Sequence, residues 1–214
     1  MSWNKLNLYN LAKKTQNPLE RKNPTIFQQL WHAKRETRAY HGAFLTEKRW
    51  RKLFRPVLPA ADTATATQKP GEHPPAAALL YAPLERRLDV FLHRALFADS
   101  VDTARQMIRH GKVRVEDKTL RYPSYLLEPG QVVSVDPQAI EMLKGEEGTE
   151  LTYRPKPYSQ PFHFLPEYIE VNYRTCEAIF LREPISRPGR MEIPSPVPPE
   201  LHSLAHEYYV RKWR

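Results

Sequence analysis

The sequence predicts an α+β fold: a basic, largely helical N-terminal arm, then a small domain of two helices with a β-hairpin and short sheet, then extended proline-rich linkers and a tail. Three observations predict this fold. Apolar residues recur at helical spacing between positions 88 and 109 and alternate as in strands at 112–115 and 132–135. Lysine and arginine are concentrated in the first 55 residues. Prolines, 21 against 7 glycines, interrupt regular structure elsewhere.

Residues 1–55 form the basic arm, with 13 Lys or Arg and 3 acids, whereas the whole chain carries +9. An arm that holds all the excess charge is typical of a chain that binds RNA. Its aromatic rings are predicted to stack on bases or to act as small hydrophobic anchors, and Phe27, Leu30 and Trp31 are predicted to pack in a helix interface. The candidate RNA contacts of the arm are Lys34, Arg35, Arg38, Lys48, Arg49, Arg51 and Lys52.

The remaining boundaries follow composition. Residues 56–83 are predicted to be a low-complexity linker, because Ala, Thr and Pro dominate it without a periodic apolar face. Residues 84–137 form the predicted central domain, and 138–166 a second, irregular linker. Residues 167–214 are expected to hold a strand pair, a proline-rich segment and a short terminal helix.

Two short helices open the central domain. In the first, an apolar stripe runs from Leu88 to Leu96, and Asp89 complements the helix dipole near its start. The second is predicted to begin after Ser100, a favourable N-cap, and to end at Gly111, as a C-terminal capping glycine would. Two arginines of the first pattern, Arg87 and Arg94, are assigned to its polar face.

A hairpin and a closing strand complete the central domain. Valines alternate with basic residues at 112–115, Glu116-Asp117 is the predicted turn, and Pro129-Gly130 precedes a last strand at 132–135. The predicted fold gathers six basic residues on one face, where clustered Lys and Arg would neutralise phosphates; a solvated helix face is the alternative. The six are Arg105, Arg109, Lys112, Arg114, Lys118 and Arg121.

The central segment resembles the S-four RNA-binding domain (alpha-L type), in Arg87-Leu88-Asp89, Ala104-Arg105-Gln106, His110-Gly111-Lys112-Val113, Pro123-Ser124-Tyr125 and 129–135. That family uses two helices and a small sheet to hold folded RNA. The sequence departs from the pattern at Glu116-Asp117, where Asn-Gly is usual, and at Val101, where a basic residue is common. By resemblance, RNA would be contacted by Arg87, Arg94, Ser100, Arg105, Gln106, His110, Lys112 and Arg114, and the predicted surface also includes Arg109, Lys118, Arg121 and Tyr125.

The flanking segments indicate which members of the family this chain resembles. Residues 168–184 are similar to the strand pair that follows this domain in the ribosomal S-four family, and residues 27–50 to its fungal mitochondrial members. The resemblance implies a structural constituent of the mitochondrial small ribosomal subunit, in the mitochondrial matrix. Its expected partners are small-subunit rRNA and neighbouring ribosomal proteins, and its expected roles are subunit assembly and decoding accuracy in translation. A stand-alone RNA-binding factor acting on ribosomes or tRNA is the alternative.

The sequence gives little support for an enzymatic function. Arg87-Leu88-Asp89 also resembles the aspartate motif of pseudouridine synthases, but the separate catalytic domain of such an enzyme does not fit the available length, and Arg86 replaces a usual glycine. His202 and His206 supply two ligands where structural zinc needs four, so exposed helix histidines are expected there. No catalytic residue, cofactor, metal or small-molecule substrate is predicted.

Three further features bear on location. Cys176 is the single cysteine, which excludes an internal disulfide and suits a reducing compartment. No apolar run approaches the roughly 20 residues that a membrane span requires. Residues 1–19 lack acids and alternate lysines with apolar residues, a pattern compatible with import into an organelle.

Overall fold

The computed structural model of the chain describes residues 23–54, 76–141, 143–144, 152–153, 165–184, 186–187 and 190–213. The predicted import-like segment therefore lies outside the described residues. The chain divides into two compact units. Of the described residues, we call those within 83–183 the sheet unit, and those within 23–82 and 184–213 the helical unit.

Helices and strands alternate irregularly along the described residues. In chain order, the α-helices are α1 (Ile26–His41), α2 (Glu47–Arg51), α3 (Ala82–Glu85), α4 (Leu88–Arg94), α5 (Val101–Arg109) and α6 (Pro199–Trp213), with 3-10 helices at Ala76–Tyr81 and Pro137–Ala139. The strands are β1 (Val113–Val115), β2 (Lys118–Thr119), β3 (Val132–Val135), β4 (Leu143–Lys144), β5 (Thr152–Tyr153), β6 (Ile169–Asn172), β7 (Glu177–Phe180), β8 (Ser186–Arg187) and β9 (Arg190–Met191).

The sheet unit is built on a five-stranded antiparallel sheet in the order β2-β1-β3-β7-β6. Period-two alternation buries Val113 and Val115 of β1 and Val133 and Val135 of β3, and the apolar stripes of α4 and α5 join the same core. Removing a side chain of this size from water stabilises the fold by about 1.5–3 kcal/mol. The α+β prediction for the central domain is confirmed.

Local signals determine where the two helices of the sheet unit begin and end. Ser100 caps α5, because its hydroxyl accepts a hydrogen bond from the Thr103 amide at 3.2 Å. Gly111 has φ +74°, the left-handed backbone expected of a capping glycine. The prediction for the end of the first helix was wrong, because α4 stops at Arg94 and Leu96 adopts φ +62° beyond it.

The hairpin turn lies where the sequence predicts it. Glu116 and Asp117 connect β1 and β2, and both have positive φ, 48° and 66°. Two consecutive left-handed residues suit the right-handed twist of hairpin strands, which is why Asn-Gly is usual there. Residues other than Gly, Asn and Asp adopt this backbone at a cost, so Glu116 carries strain in the turn.

The strand pair β6–β7 joins the same sheet as the central domain. Val133 of β3 pairs with Ala178 of β7, and the pair continues to β6 through Val171. The sequence pattern predicts the pair but not this pairing, since an irregular linker is expected between the two segments. Within that linker, β4 pairs with β5, Leu143 opposite Tyr153.

The helical unit has a core of aromatic rings. The Phe54 ring stacks on Tyr209 of α6 with centroids 4.3 Å apart, and Trp50 stacks on Tyr81 at 5.6 Å. Trp50, Phe54 and Tyr81 are almost completely buried, which makes them hydrophobic anchors. Gly42 ends α1 beneath this cluster. A Cβ there would lie 2.1 Å from Trp50 Cε3, so the close approach requires glycine.

Three expectations for the helical unit are corrected. Leu30 is buried as predicted and Trp31 packs edge-on against Tyr208 of α6, with ring centroids 6.0 Å apart, but Phe27 is 64% exposed. His202 is not an exposed helix histidine: it is fully buried. The predicted linker 56–83 includes the 3-10 helix at its end, where Tyr81 packs into the core; residues 56–75 lie outside the described residues.

Candidate RNA-binding surface

Helix α5 presents the main polar surface of the sheet unit. Ala104, Met107 and Ile108 point into the core, so the residues between them face outward. With Asp102 they line a shallow open depression of about 400 Å³. We call these outward residues the basic helix surface; they are Arg105, Gln106, Arg109 and His110.

A buried carboxylate lies beneath this surface. Asp89 is completely buried and accepts two hydrogen bonds from the Arg87 guanidinium, from Nε at 3.0 Å and from Nη2 at 2.7 Å. It also accepts a hydrogen bond from the Val90 amide at 3.0 Å. Arg105 Nε lies 3.9 Å from Asp89 Oδ2. One carboxylate therefore fixes the direction of Arg87 and attracts Arg105, and a two-point contact of this kind holds a guanidinium in a single orientation.

The basic residues after α5 do not all share its surface. Arg114 alternates with the buried Val113 and Val115, so its side chain lies on the sheet face that points away from the core. The single face expected from the sequence is thus divided. Lys112 forms an ion pair with Asp136, Nζ to Oδ2 2.8 Å, and this hydrogen bond lowers the pKa of the Asp136 carboxyl.

Three other predicted contacts lie on the hairpin and the following loop. Lys118 is exposed on β2, the edge strand of the sheet. Arg121 is exposed beside the end of α5, since its Nε lies 3.8 Å from the position of a Cβ on Gly111. Tyr125 is half-buried, and its hydroxyl accepts a hydrogen bond from Gln131 at 3.3 Å.

Two residues that were predicted to contact RNA have structural roles instead. The Arg94 guanidinium is buried and donates to both carboxylate oxygens of Glu85, at 2.9 and 3.0 Å; Tyr168 donates to the same carboxylate at 2.9 Å. Moving Arg94 to a phosphate would leave Glu85 charged and buried, which is costly. The place of Arg94 among the RNA contacts is therefore corrected. Ser100 is buried as the cap of α5, which corrects its place likewise.

Comparison with known proteins places these features in a family. The family model of the S4 domain, the domain named above as S-four, matches residues 86–133. The small ribosomal subunit protein uS4m of Schizosaccharomyces pombe is 36% identical over 256 aligned positions, covering 98% of this chain and 77% of that protein. The chain belongs to the uS4 family of small ribosomal subunit proteins.

Bacterial members of the uS4 family are also similar to this chain. The small ribosomal subunit protein uS4 of Cereibacter sphaeroides is 32% identical and that of Dinoroseobacter shibae 31% identical. Each alignment covers 84% of this chain and 74% of the relative. The similarity therefore extends well beyond the S4 domain into the flanking segments.

The candidate arm residues of this uS4-family chain lie in the helical unit, on α1, on α2 or, for Lys52, directly after α2. Lys34 Nζ and Arg38 Nε lie 3.0 and 3.1 Å from the two carboxylate oxygens of Glu47. Partial burial acts to raise the Glu47 pKa, but the two cations prevail and lower it. The Lys34 ammonium also lies over the Trp31 ring, 4.9 Å from its centroid. Lys34 and Arg38 therefore have partners within the protein.

The other arm candidates differ in exposure. Arg35, Lys48, Arg49 and Lys52 are exposed, whereas Arg51 is half-buried. These four cations are exposed on α1, on α2 or directly after α2, and phosphates can reach them without breaking a buried contact. This makes them better suited to RNA than Lys34 or Arg38.

The sequence pattern did not predict that Asp89 also contacts Arg87 and lies near Arg105. It predicts a helix-start carboxylate, and Asp89 does lie in the first turn of α4. Its contact with Arg87, two residues earlier, was within reach of the sequence because the pair is local. Its proximity to Arg105, sixteen positions later, depends on how α4 packs against α5 and carries no local signal.

Metal sites and membrane spans have no candidate in the described parts of this uS4-family chain. Those residues contain no group of three or more His, Cys, Asp or Glu side chains placed to hold a metal ion. Among them, no helix combines the length and the apolar character that crossing a bilayer demands.

Proposed function

We propose that the chain is a structural constituent of the mitochondrial small ribosomal subunit, binding small-subunit rRNA and neighbouring ribosomal proteins in the matrix. One observation carries the proposal: a uS4-family chain presents a basic helix surface, Arg105 to His110, on the sheet unit. The similar protein of Schizosaccharomyces pombe is named as the mitochondrial form, uS4m. No catalytic role is assigned to the chain.

RNA binding is proposed to depend chiefly on phosphate contacts. Clustered Lys and Arg side chains release counterions from RNA, and this release supplies much of the affinity. Arg87 and Arg105 are held near Asp89 before RNA arrives, so less side-chain freedom is lost on binding. Exposed cations at the two ends of the hairpin, Arg121 and Lys118, extend the same surface in this proposal.

The basic arm, residues 1–55, is proposed to contact rRNA separately from the central domain, residues 84–137. The part of the 56–83 segment that precedes the 3-10 helix at Ala76–Tyr81 would act as the connector. By favouring the RNA conformer that it fits, the bound protein would stabilise one arrangement of rRNA helices for proteins that join later. An effect on subunit assembly follows, and decoding accuracy would depend on that arrangement.

The test is sedimentation of a tagged full chain from a mitochondrial lysate, in magnesium, at moderate and then high salt. The tagged chain is expected in stoichiometric amount with the small subunit at both salt concentrations. Recovery in light fractions instead would overturn residency in the subunit and favour the stand-alone RNA-binding factor.

A matched pair of variants tests the surface. Arg105→Ala with Arg109→Ala is expected to reduce incorporation into the small subunit. Arg182→Ala removes a cation beyond β7, towards the opposite edge of the sheet from β2, and is expected to leave incorporation unchanged. Equal incorporation of all three proteins would contradict the assignment of RNA contact to the basic helix surface.

A further inference from the structure

The loop between β2 and β3 carries an aromatic ring that the functional surface described above does not use. Tyr122 is 73% exposed, the most exposed of the large apolar and aromatic side chains in the described residues. Its side chain has no hydrogen-bond or ring partner within that part of the chain. A ring left in solvent without a partner gains nothing for the fold.

The backbone that carries this ring is nevertheless fixed. The Tyr125 amide donates to the Tyr122 carbonyl at 3.1 Å, which closes a turn. The Asp89 amide donates to the Pro123 carbonyl at 3.2 Å, and the Leu88 amide donates to the Tyr125 carbonyl at 2.9 Å. The loop is thereby attached to the start of α4, so the ring is displayed from a defined position rather than from a free loop.

These contacts also place Tyr122 along the basic helix surface. On one side, Arg121 lies beside Gly111 at the end of α5. On the other side, Pro123 contacts Asp89, whose carboxylate lies 3.9 Å from Arg105 Nε. The loop therefore runs from the end of α5, beside Arg121, to the backbone of Asp89, and Tyr122 lies between these two points.

We propose that Tyr122 is a stacking site for an unpaired nucleobase of the RNA bound on the basic helix surface. RNA-binding proteins recognise splayed bases by stacking them on aromatic rings, while adjacent cations hold the phosphates. Arg121 next to the ring and the basic helix surface beside the loop favour RNA over a protein partner, because they supply positive charge for the phosphates near a stacked base. The inference rests on the proposed rRNA binding and adds the chemical class of group that the loop selects.

The experiment uses the full chain and small-subunit rRNA fragments in which unpaired adenines are replaced singly by 2-aminopurine. Binding is expected to quench 2-aminopurine at one unpaired position. Tyr122→Ala is expected to abolish that quenching and to weaken binding about tenfold, within the range known for base stacking. Tyr122→Phe retains the ring and is expected to preserve both.

Salt dependence separates this site from the phosphate contacts. Tyr122→Ala is expected to leave the slope of log affinity against log salt unchanged, whereas Arg109→Ala is expected to reduce it by about one. If the alanine variant binds and quenches like the wild type while Arg109→Ala weakens binding, the stacking site is overturned and the proposed function stands. If the wild-type chain itself fails to bind the rRNA, the proposed function fails.

Discussion

At the scale of single residues, Asp89 links the core of the sheet unit to its proposed RNA-binding surface. The carboxylate is completely buried, yet two of its partners, Arg87 and Arg105, are partly exposed. A buried charge persists only where hydrogen bonds and an opposite charge compensate for its desolvation. Because the contacts that satisfy Asp89 also hold Arg87 and Arg105 in place, we expect stability and binding to depend on this one side chain.

Asp89→Asn is expected to lower the free energy of unfolding by about 2 kcal/mol, because it removes the charge that compensates Arg87. Urea denaturation of the full chain measures the change. Asp102→Asn is the control: Asp102 is half exposed and 3.8 Å from Arg105, so its replacement is expected to cost less than about 0.5 kcal/mol. Equal costs for the two variants would contradict the anchoring role.

His202 is a second buried titratable residue, in the helical unit. Its Nε2 lies 3.1 Å from Ser195 Oγ and its Nδ1 lies 3.3 Å from Tyr81 Oη. Burial lowers the pKa of His202 from 6.5 to about 4. The folded protein therefore holds a neutral imidazole where the unfolded chain takes up a proton.

This difference predicts a loss of stability in mild acid. Since the unfolded chain binds more protons between pH 6.5 and 4, the contribution of His202 is fully present above pH 6.5 and falls by about 3 kcal/mol as the pH approaches 4. Urea midpoints at pH 7, 6 and 5 measure it. His202→Gln is expected to be less stable at pH 7 and to show a flatter pH dependence; an identical slope would refute the assignment.

At the scale of elements, the β1–β2 hairpin is held by a turn of unfavourable composition. Glu116 and Asp117 both adopt left-handed backbone. Replacing them together by Asn and Gly is expected to raise the free energy of unfolding by about 1 kcal/mol, because these residues adopt that backbone with little strain. Thermal unfolding without RNA measures the gain.

The control for the hairpin removes the same charges without the backbone preference. Glu116→Gln with Asp117→Ala is expected to give no stabilisation, since neither residue favours positive φ. If this control stabilised the protein as much as Asn-Gly does, relief of charge repulsion rather than backbone strain would account for the effect.

Elements with local signals were predictable, and elements joined over long distances were not. The helix cap at Ser100, the glycine stop at Gly111 and the hairpin turn depend on neighbours within a few residues. The pairing of β3 with β7 depends on segments about forty residues apart, and hydrophobic alternation does not specify which strands meet.

Contacts outside the local sequence pattern also explain why the surroundings of Arg94 and His202 were predicted wrongly. Arg94 looks like an outward-facing cation at helical spacing, but its partner Glu85 lies nine residues earlier, outside the periodic segment. His202 is buried against Tyr81, which lies 121 residues earlier in the chain, and it also contacts Ser195, seven residues earlier. Charge pattern alone identifies which residues can bind phosphate; it does not show which of them the core has already engaged.

At the scale of the whole molecule, charge is distributed unevenly. The first 55 residues carry 13 Lys or Arg against 3 acids, while the chain as a whole carries +9. Two candidate sources of phosphate contact are therefore present in one chain. Salt dependence of RNA affinity reports their sum, and each lost contact reduces the slope of log affinity against log salt by about one.

Arg105→Ala with Arg109→Ala is expected to lower that slope by about two across unrelated RNAs. Filter binding between 50 and 200 mM salt, about the range over which such slopes are resolved, measures it. Arg114→Ala, on the opposite face of the sheet, shows whether RNA also contacts that side, and Arg182→Ala serves as the control. A slope that the double variant leaves unchanged would contradict phosphate contact by α5.

Because β3 pairs with β7, the sheet remains incomplete for part of the synthesis of the chain. β3 ends at Val135 and its partner β7 begins at Glu177, so roughly forty residues must be translated before the edge of β3 is covered. At about 5–20 residues per second, that interval lasts about 2–8 seconds. During it, the nascent chain presents an unpaired strand edge that can pair with a strand of another chain. The nascent protein is most prone to associate wrongly with other chains in those seconds, before its sheet is complete.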